Sequence, residues 1–150
     1  MALDDDIRTL SVVGLFESFT QEQLRLLAFG AETTTLAAGK KLYREDDTAD
    51  SAYVVISGSF VLYREGEEQR VIGRAGPGAI MGELALIADT RRLTSASAEA
   101  DSQVLRLNRQ MFRRILEEYP DLAVQLHHRI SEEFQSMIRR IEGLAPRFSR

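Results

Sequence analysis

The residues with the clearest chemical potential lie in one stretch, Gly76-Pro77-Gly78-Ala79-Ile80-Met81-Gly82-Glu83-Leu84-Ala85-Leu86, followed by Arg91-Arg92-Leu93-Thr94. Gly82 opens a short apolar helical turn, and such a turn presents unpaired backbone N–H groups at its start, where an anion is favoured. Ten positions after Gly82 stands Arg92, whose planar guanidinium is a fork of donors matched to phosphate oxygens. Glu83, as a carboxylate, can only accept hydrogen bonds, so beside a nucleotide its natural partner is a sugar hydroxyl. Together these groups suit recognition of a charged sugar phosphate.

Other reactive groupings are weaker. His127 and His128 are adjacent, so on a helix they point about 100° apart and lack the i, i+4 relation that lets two imidazoles share a metal. Asp46, Asp47 and Asp50 make an acidic turn without the glycine and distal glutamate of a calcium loop, which predicts a solvated loop. No nucleophile elbow, Walker-type loop or acid–base pair accompanies the phosphate-binding stretch, so no catalytic residue is assigned.

The elements that must position these residues can be read from periodicity. Thr20 is placed to cap a helix, with Gln23 reaching back and Phe19 and Leu24 forming a hydrophobic staple; Gly30 reads as its stop. From Ala31 short β-like runs follow: 33–36, 41–44, 52–57, 60–64, 69–73, 95–99 and 103–107. They are separated by turns at Gly39, Asp46-Asp47, Gly58, Gly66 and Gly76-Pro77-Gly78, the pattern of a sandwich or small barrel. Asn108 then caps a helix with Met111, Phe112, Ile115 and Leu116 at helical spacing, and Pro120 ends or restarts it. Beyond Pro120 a stripe of Leu122, Leu126, Ile130, Phe134, Met137, Ile138 and Ile141 is broad enough to pack on the barrel and on a second chain. Residues 144–150 read as a loose tail.

These elements give an α+β domain with N-terminal helices, a sandwich or small barrel and two C-terminal helices; the resemblance of residues 76–94 to a known family implies that the barrel is an antiparallel β-roll, jelly-roll-like, with a short phosphate-binding helix. The expected division is 1–30 helical, 31–107 β-roll with the phosphate-binding stretch at 82–95, and 108–143 helical, all in one domain spanning 1–150. With 150 residues and 44% hydrophobic composition the chain can bury one core. Charge is mixed and the net charge is -4, which disfavours a non-specific nucleic-acid coat. The absence of cysteine excludes disulfides and thiolate zinc sites. Asp4, Asp5 and Asp6 stand where a signal peptide would need positive charge, and no apolar run reaches the roughly 18 residues of a membrane span. A cytoplasmic protein without membrane contact is expected.

Gly82-Glu83-Leu84-Ala85-Leu86, with Arg92 at this spacing, resembles the phosphate-binding cassette of the cyclic nucleotide-binding domain family, which includes catabolite-activator-type regulators, kinase regulatory subunits and gated channels. Val13-Gly14-Leu15-Phe16 with the Thr20 helix, Tyr53-Val54-Val55-Ile56-Ser57-Gly58 and Gly76-Pro77-Gly78 extend the resemblance over nearly the whole chain. It implies a regulatory sensor rather than an enzyme, with cyclic AMP or cyclic GMP as ligand and no metal. The implied ligand set is Gly82, Glu83, Leu84, Ala85, Arg92, Leu93 and Thr94. Within it, Glu83 and the Gly82 backbone hold the ribose 2′-hydroxyl, while Arg92 and the amides of Ala85 and Leu93 hold the cyclic phosphate. Leu93 stands where guanine-preferring relatives carry threonine, which tilts the expectation toward cyclic AMP.

The resemblance also implies a lid near Gln135, Ser136 and Arg139, where polar residues interrupt the apolar stripe, and a relay of occupancy through the C-terminal helices to a protein effector or a second copy. A homodimer through the C-terminal helix is the expected assembly. Direct DNA binding is not expected, because a helix-turn-helix needs at least two helices after the long one and only 142–150 follow it. The alternative is a truncated or ligand-independent member of the same family, acting as a transcription-regulator sensor domain or a protein-interaction module.

Overall fold

The computed structural model describes residues 2–144. A helical front piece comes first: α1 (Ala2–Ser11), a 3-10 turn (Gly14–Phe16) and α2 (Gln21–Phe29). α1 precedes the first helix legible from caps. Asp4 and Asp5 sit in its first turn, where the helix dipole favours them, and Ile7 and Leu10 are its buried face. α2 carries the expected capping box: Gln23 N–H donates to Thr20 Oγ1 (3.1 Å) and Thr20 N–H donates to Gln23 Oε1 (2.9 Å). Gly30 ends it, though not as the left-handed stop that a glycine there suggests, since its φ is -92°. A Cβ at this point would lie 2.7 Å from Met111 Cγ, so the methionine side chain would have to shift to admit one.

The β-roll consists of β1 (Glu32–Leu36), β2 (Lys41–Tyr43), β3 (Thr48–Ala49), β4 (Ser51–Ser57), β5 (Phe60–Arg64), β6 (Arg70–Ala75), β7 (Ile80–Met81), β8 (Thr90–Arg91), β9 (Ser95–Ala98) and β10 (Ser102–Asn108). All pairings are antiparallel, in sheets ordered β1-β10-β4-β7, β2-β9-β5-β6 and β3-β8. Seven strands match the expected runs within a few residues. The other three, β3, β7 and β8, are two-residue strands, too short to show any alternation. α3 (Arg109–Glu118) and α4 (Pro120–Leu144) close the chain, α3 capped by Asn108 Oδ1, which accepts from Met111 N–H at 2.8 Å. Pro120 restarts rather than interrupts, occupying the first position of α4, where its missing N–H costs nothing. The expected tail lies, from residue 145, outside the described residues.

Strand alternation divides the core in two. Ala52, Val54, Leu105 and Leu107 point from β4 and β10 toward the helices and pack with Phe16, Phe19 and Phe112, whose ring centroids are 4.9–6.5 Å apart. Val55 and Val104, on the opposite faces of the same strands, fill the roll with Phe60, Leu62 and Met81. α4 bridges both parts. Its first half is fixed by buried Leu122, Leu126 and Ile130 and by an ion pair of Arg129 with Glu17 (2.9 Å), while Phe134 and Met137 further on are only half-buried and face the mouth of the roll.

Candidate functional site

Three strand connections converge on Arg92. Its backbone is held by the acidic turn: Arg92 N–H donates to the Asp47 carbonyl (2.8 Å), and Asp46 N–H donates to the Arg92 carbonyl (2.9 Å). The turn expected to be merely solvated therefore anchors the site through its backbone, with Asp46 at φ 71°. β8 then separates the two neighbouring arginines. Arg91 is exposed and donates to the Asp46 carbonyl (2.9 Å), whereas Arg92 is 7% exposed and turned inward.

The inward guanidinium is only partly satisfied. Nη2 donates to the Ser51 carbonyl at 2.8 Å, and the group lies over the Tyr43 ring at 4.3 Å and the Tyr53 ring at 5.6 Å. Nε and Nη1 are buried without a hydrogen-bond partner, and among the described residues no carboxylate pairs with Arg92. A buried cation without a counter-charge is costly by several kcal/mol, and the two free donors could bind an anion beside them. Gly82 makes this possible: it is left-handed (φ 72°, ψ 31°), and any Cβ there would collide with Arg92 Nη1.

Beside Arg92 opens a cavity of about 170 Å³. That is more than ten times the roughly 10–15 Å³ one water needs, so it has room for an organic ligand. Its floor is the 3-10 turn Glu83–Leu86 with Gly82, and Arg92, Leu93 and Thr94 form one side. Gly82, Glu83, Leu84, Ala85, Arg92, Leu93 and Thr94 are thus brought together around one space. Thr94 is buried, and burial pushes the pKa of the neighbouring Tyr43 hydroxyl up to about 12. Leu93 contributes its carbonyl, which accepts from Arg64 Nη1 at 3.1 Å. The Ala85 amide, expected to face phosphate, here donates to the Gly82 carbonyl (3.1 Å) and closes the turn.

Glu83 is half-buried, and the protein around its carboxyl raises its pKa to about 7. Its own backbone N–H and the Arg140 guanidinium pull the other way, and Glu133 adds to the rise. Glu133 and Arg140 come from α4, as do Phe134 and Met137, and these four cover the cavity. The lid residues expected at Gln135, Ser136 and Arg139 do not line it: Gln135 and Arg139 are exposed, and Ser136 is half-buried elsewhere. The reason is helical register. Ile130, Phe134 and Met137 recur at 3–4 residue spacing, so the apolar stripe itself faces the site, and the polar interruptions lie around the helix from it.

One further residue escaped sequence reasoning. Arg109, the first residue of α3, reaches the other end of the turn: its Nη1 donates to the carbonyls of Ala88 (2.7 Å), Ala49 (3.1 Å) and Ala85 (3.4 Å), and its Nη2 pairs with Asp89 at 3.5 Å. The available signal was a cation in a helix's first turn, where the dipole disfavours it. Tyr43, Tyr53 and Ser51 had no such signal, because only the sheet pairings bring them to Arg92. His127 and His128 are exposed. Among the described residues no group of three or more His, Cys, Asp or Glu could hold a metal, and no helix is long and apolar enough to cross a membrane.

Known proteins share this fold. A cyclic nucleotide-binding-like protein from Brucella abortus has a structure 57% identical in sequence, with a TM-score of 0.69 over 76% of this chain and 99% of that one. The regulatory domain of Toxoplasma gondii PKA, in its co-crystal structure with cAMP, shares the fold at 22% identity and a TM-score of 0.76, over 87% of this chain and 50% of that one. Neuropathy target esterase sws of Drosophila persimilis is 33% identical over 101 residues, 66% of this chain but 7% of the esterase, so the chain spans under a tenth of that relative. The family profile described as the cyclic nucleotide-binding domain matches residues 33–119, and the chain belongs to that family.

Proposed function

We propose that the chain is a regulatory sensor that binds a cyclic nucleoside monophosphate, cyclic AMP in preference to cyclic GMP, and relays occupancy through α3 and α4. The observation that carries this reading is the buried guanidinium of Arg92, with Nε and Nη1 unpartnered beside a cavity of organic-ligand size. A cyclic phosphate brings one negative charge and oxygens suited to that fork. Glu83, in its carboxylate form, accepts from the ribose 2′-hydroxyl, and the purine extends toward Phe134 and Met137 on α4. Leu93 offers no hydroxyl to a guanine edge, which supports the adenine preference. Relay to a protein effector or to a second copy through α4 belongs to the same proposal, as do the absence of turnover and of direct DNA contact.

Isothermal titration with cyclic AMP, cyclic GMP and 2′-deoxy cyclic AMP tests it. Cyclic AMP should bind most tightly, and Glu83→Ala should weaken cyclic AMP far more than the 2′-deoxy form, which already lacks the contact. Equal or tighter binding of cyclic GMP would remove the preference, and no binding of either would remove the ligand. Chromatography after incubation should return the cyclic nucleotide intact; a linear monophosphate product would make the chain an enzyme.

A further inference from the structure

Arg109 sits where its own helix gains nothing from it. A cation in the first turn opposes the dipole of α3, and that first turn holds no acidic residue to compensate. Its contacts lie outside α3 instead. One nitrogen serves the carbonyls of Ala85 and Ala88, at the C-terminal end of the turn that Gly82 opens, together with the Ala49 carbonyl of β3. Carbonyls at a helical C-terminus are unpaired and carry partial negative charge, so a guanidinium there is favoured on both counts. The Arg109 backbone is tied as well, its N–H donating to the Asp50 carbonyl at 2.8 Å. A single residue is therefore the first turn of α3 and also the C-terminal cap of the phosphate-binding turn.

We propose that Arg109 is a positioning residue that joins this turn to α3, so that the turn and the C-terminal helices shift as one body. The ligand part of this rests on the cyclic nucleotide reading above; the mechanical part does not. If the turn moves as its amides close on an anion, the Ala85 and Ala88 carbonyls move with it, and α3 follows through Arg109. Without the guanidinium, the two elements meet only through packing.

Hydrogen exchange on the whole chain tests this, first without nucleotide. Arg109→Met keeps the apolar stem and removes every donor. Because it also removes a cation from the wrong end of α3, a residue serving the helix alone would leave α3 protection unchanged or raised. The joined arrangement predicts the opposite: the amides of Ala85, Ile87 and Ala88 in the turn and of residue 109 and Met111 in α3 should all exchange faster, by about tenfold, the loss expected for a charge-assisted hydrogen bond. Faster exchange confined to one element, or none, would overturn the proposal. Should Arg109→Met not fold, Arg109→Lys retains charge but cannot span the same carbonyls, and it should show the same paired acceleration at smaller size; unpaired change again overturns it. Saturating cyclic AMP should then alter exchange in both the turn and α3–α4 of the parent protein, but in the turn alone in the variant. Absence of cyclic AMP binding to the parent would defeat the functional reading and leave the paired-exchange result to decide the role of Arg109.

Discussion

Arg92 and Arg109 stand at opposite ends of one short 3-10 turn, and the fold treats them in opposite ways. Arg109 spends its donors on three carbonyls and a carboxylate, all supplied by the chain. Arg92 is more deeply buried, yet only one nitrogen is paired, and two aromatic faces stand where a counter-ion would be expected. Folding explains a satisfied arginine completely. An unsatisfied one adds little to the stability of the structure that buries it, and its placement makes sense through a partner still to arrive. Satisfaction, more than burial, separates Arg109 from Arg92, the arginine proposed to meet the ligand.

This contrast can be broken most directly at Arg92. Arg92→Ala should weaken cyclic AMP binding by roughly ten- to a hundredfold, while chemical denaturation shows stability unchanged or improved, because a buried unpaired charge is removed. A variant that binds normally, or that is strongly destabilised, would place Arg92 in the same class as Arg109. Arg109→Met should show the reverse order of effects. Stability should fall by about 2 kcal/mol, as carbonyls lose a charged donor, with a smaller loss of affinity in titration. An affinity loss exceeding that of Arg92→Ala would erase the distinction.

Two smaller effects sharpen it. If the Tyr43 ring holds the Arg92 fork by its π-face, Tyr43→Leu should weaken binding several-fold, in line with about 0.5–2 kcal/mol for such a contact, and Tyr43→Phe should restore it. In an Arg92→Ala background the Tyr43→Leu effect on titrated affinity should vanish. Glu83 gives the smallest effect, through pH. Its pKa, near 4.5 in the unfolded chain, is raised to about 7 in the folded protein, so between these values the folded state holds a proton that the unfolded state has released. Stability of the free protein should fall as pH rises through this window and level off above it. Allowing for partial exposure, the loss is about 1 kcal/mol. Unfolding midpoints at pH 5 and pH 8 should differ less in Glu83→Gln, which should be the more stable of the two proteins at pH 8.

The parts of this molecule legible in the sequence are those whose causes are local. The Thr20 box, the Asn108 cap and the Pro120 restart each depend on residues within one turn. The Gly82–Thr94 stretch differs: it is legible through its resemblance to a family cassette and not through local geometry, since the inward Arg92 is held by the distant Asp46–Asp47 turn. What could not be read depends on pairing between distant segments. β3 and β8 are two residues each and exist because Thr48 and Ala49 meet Arg91 and Thr90. Tyr43 and Tyr53 reach Arg92 only once three sheets have formed. On α4 the resemblance points to Gln135, Ser136 and Arg139, whereas the helical spacing turns the Ile130, Phe134 and Met137 stripe to the cavity, with the flanking charges Glu133 and Arg140.

The two rings beneath Arg92 also make the protein its own optical probe. The chain has no tryptophan and four tyrosines, so its near-ultraviolet dichroism and intrinsic emission come chiefly from those phenols. Tyr43 and Tyr53 are stacked at 6.0 Å with 25° between their planes, and the guanidinium sits against both. An anion that draws Arg92 toward itself changes the electric field across this coupled pair. Occupancy should then be visible without any label, as a change in tyrosine signal that is absent from Tyr43→Leu and from Arg92→Ala.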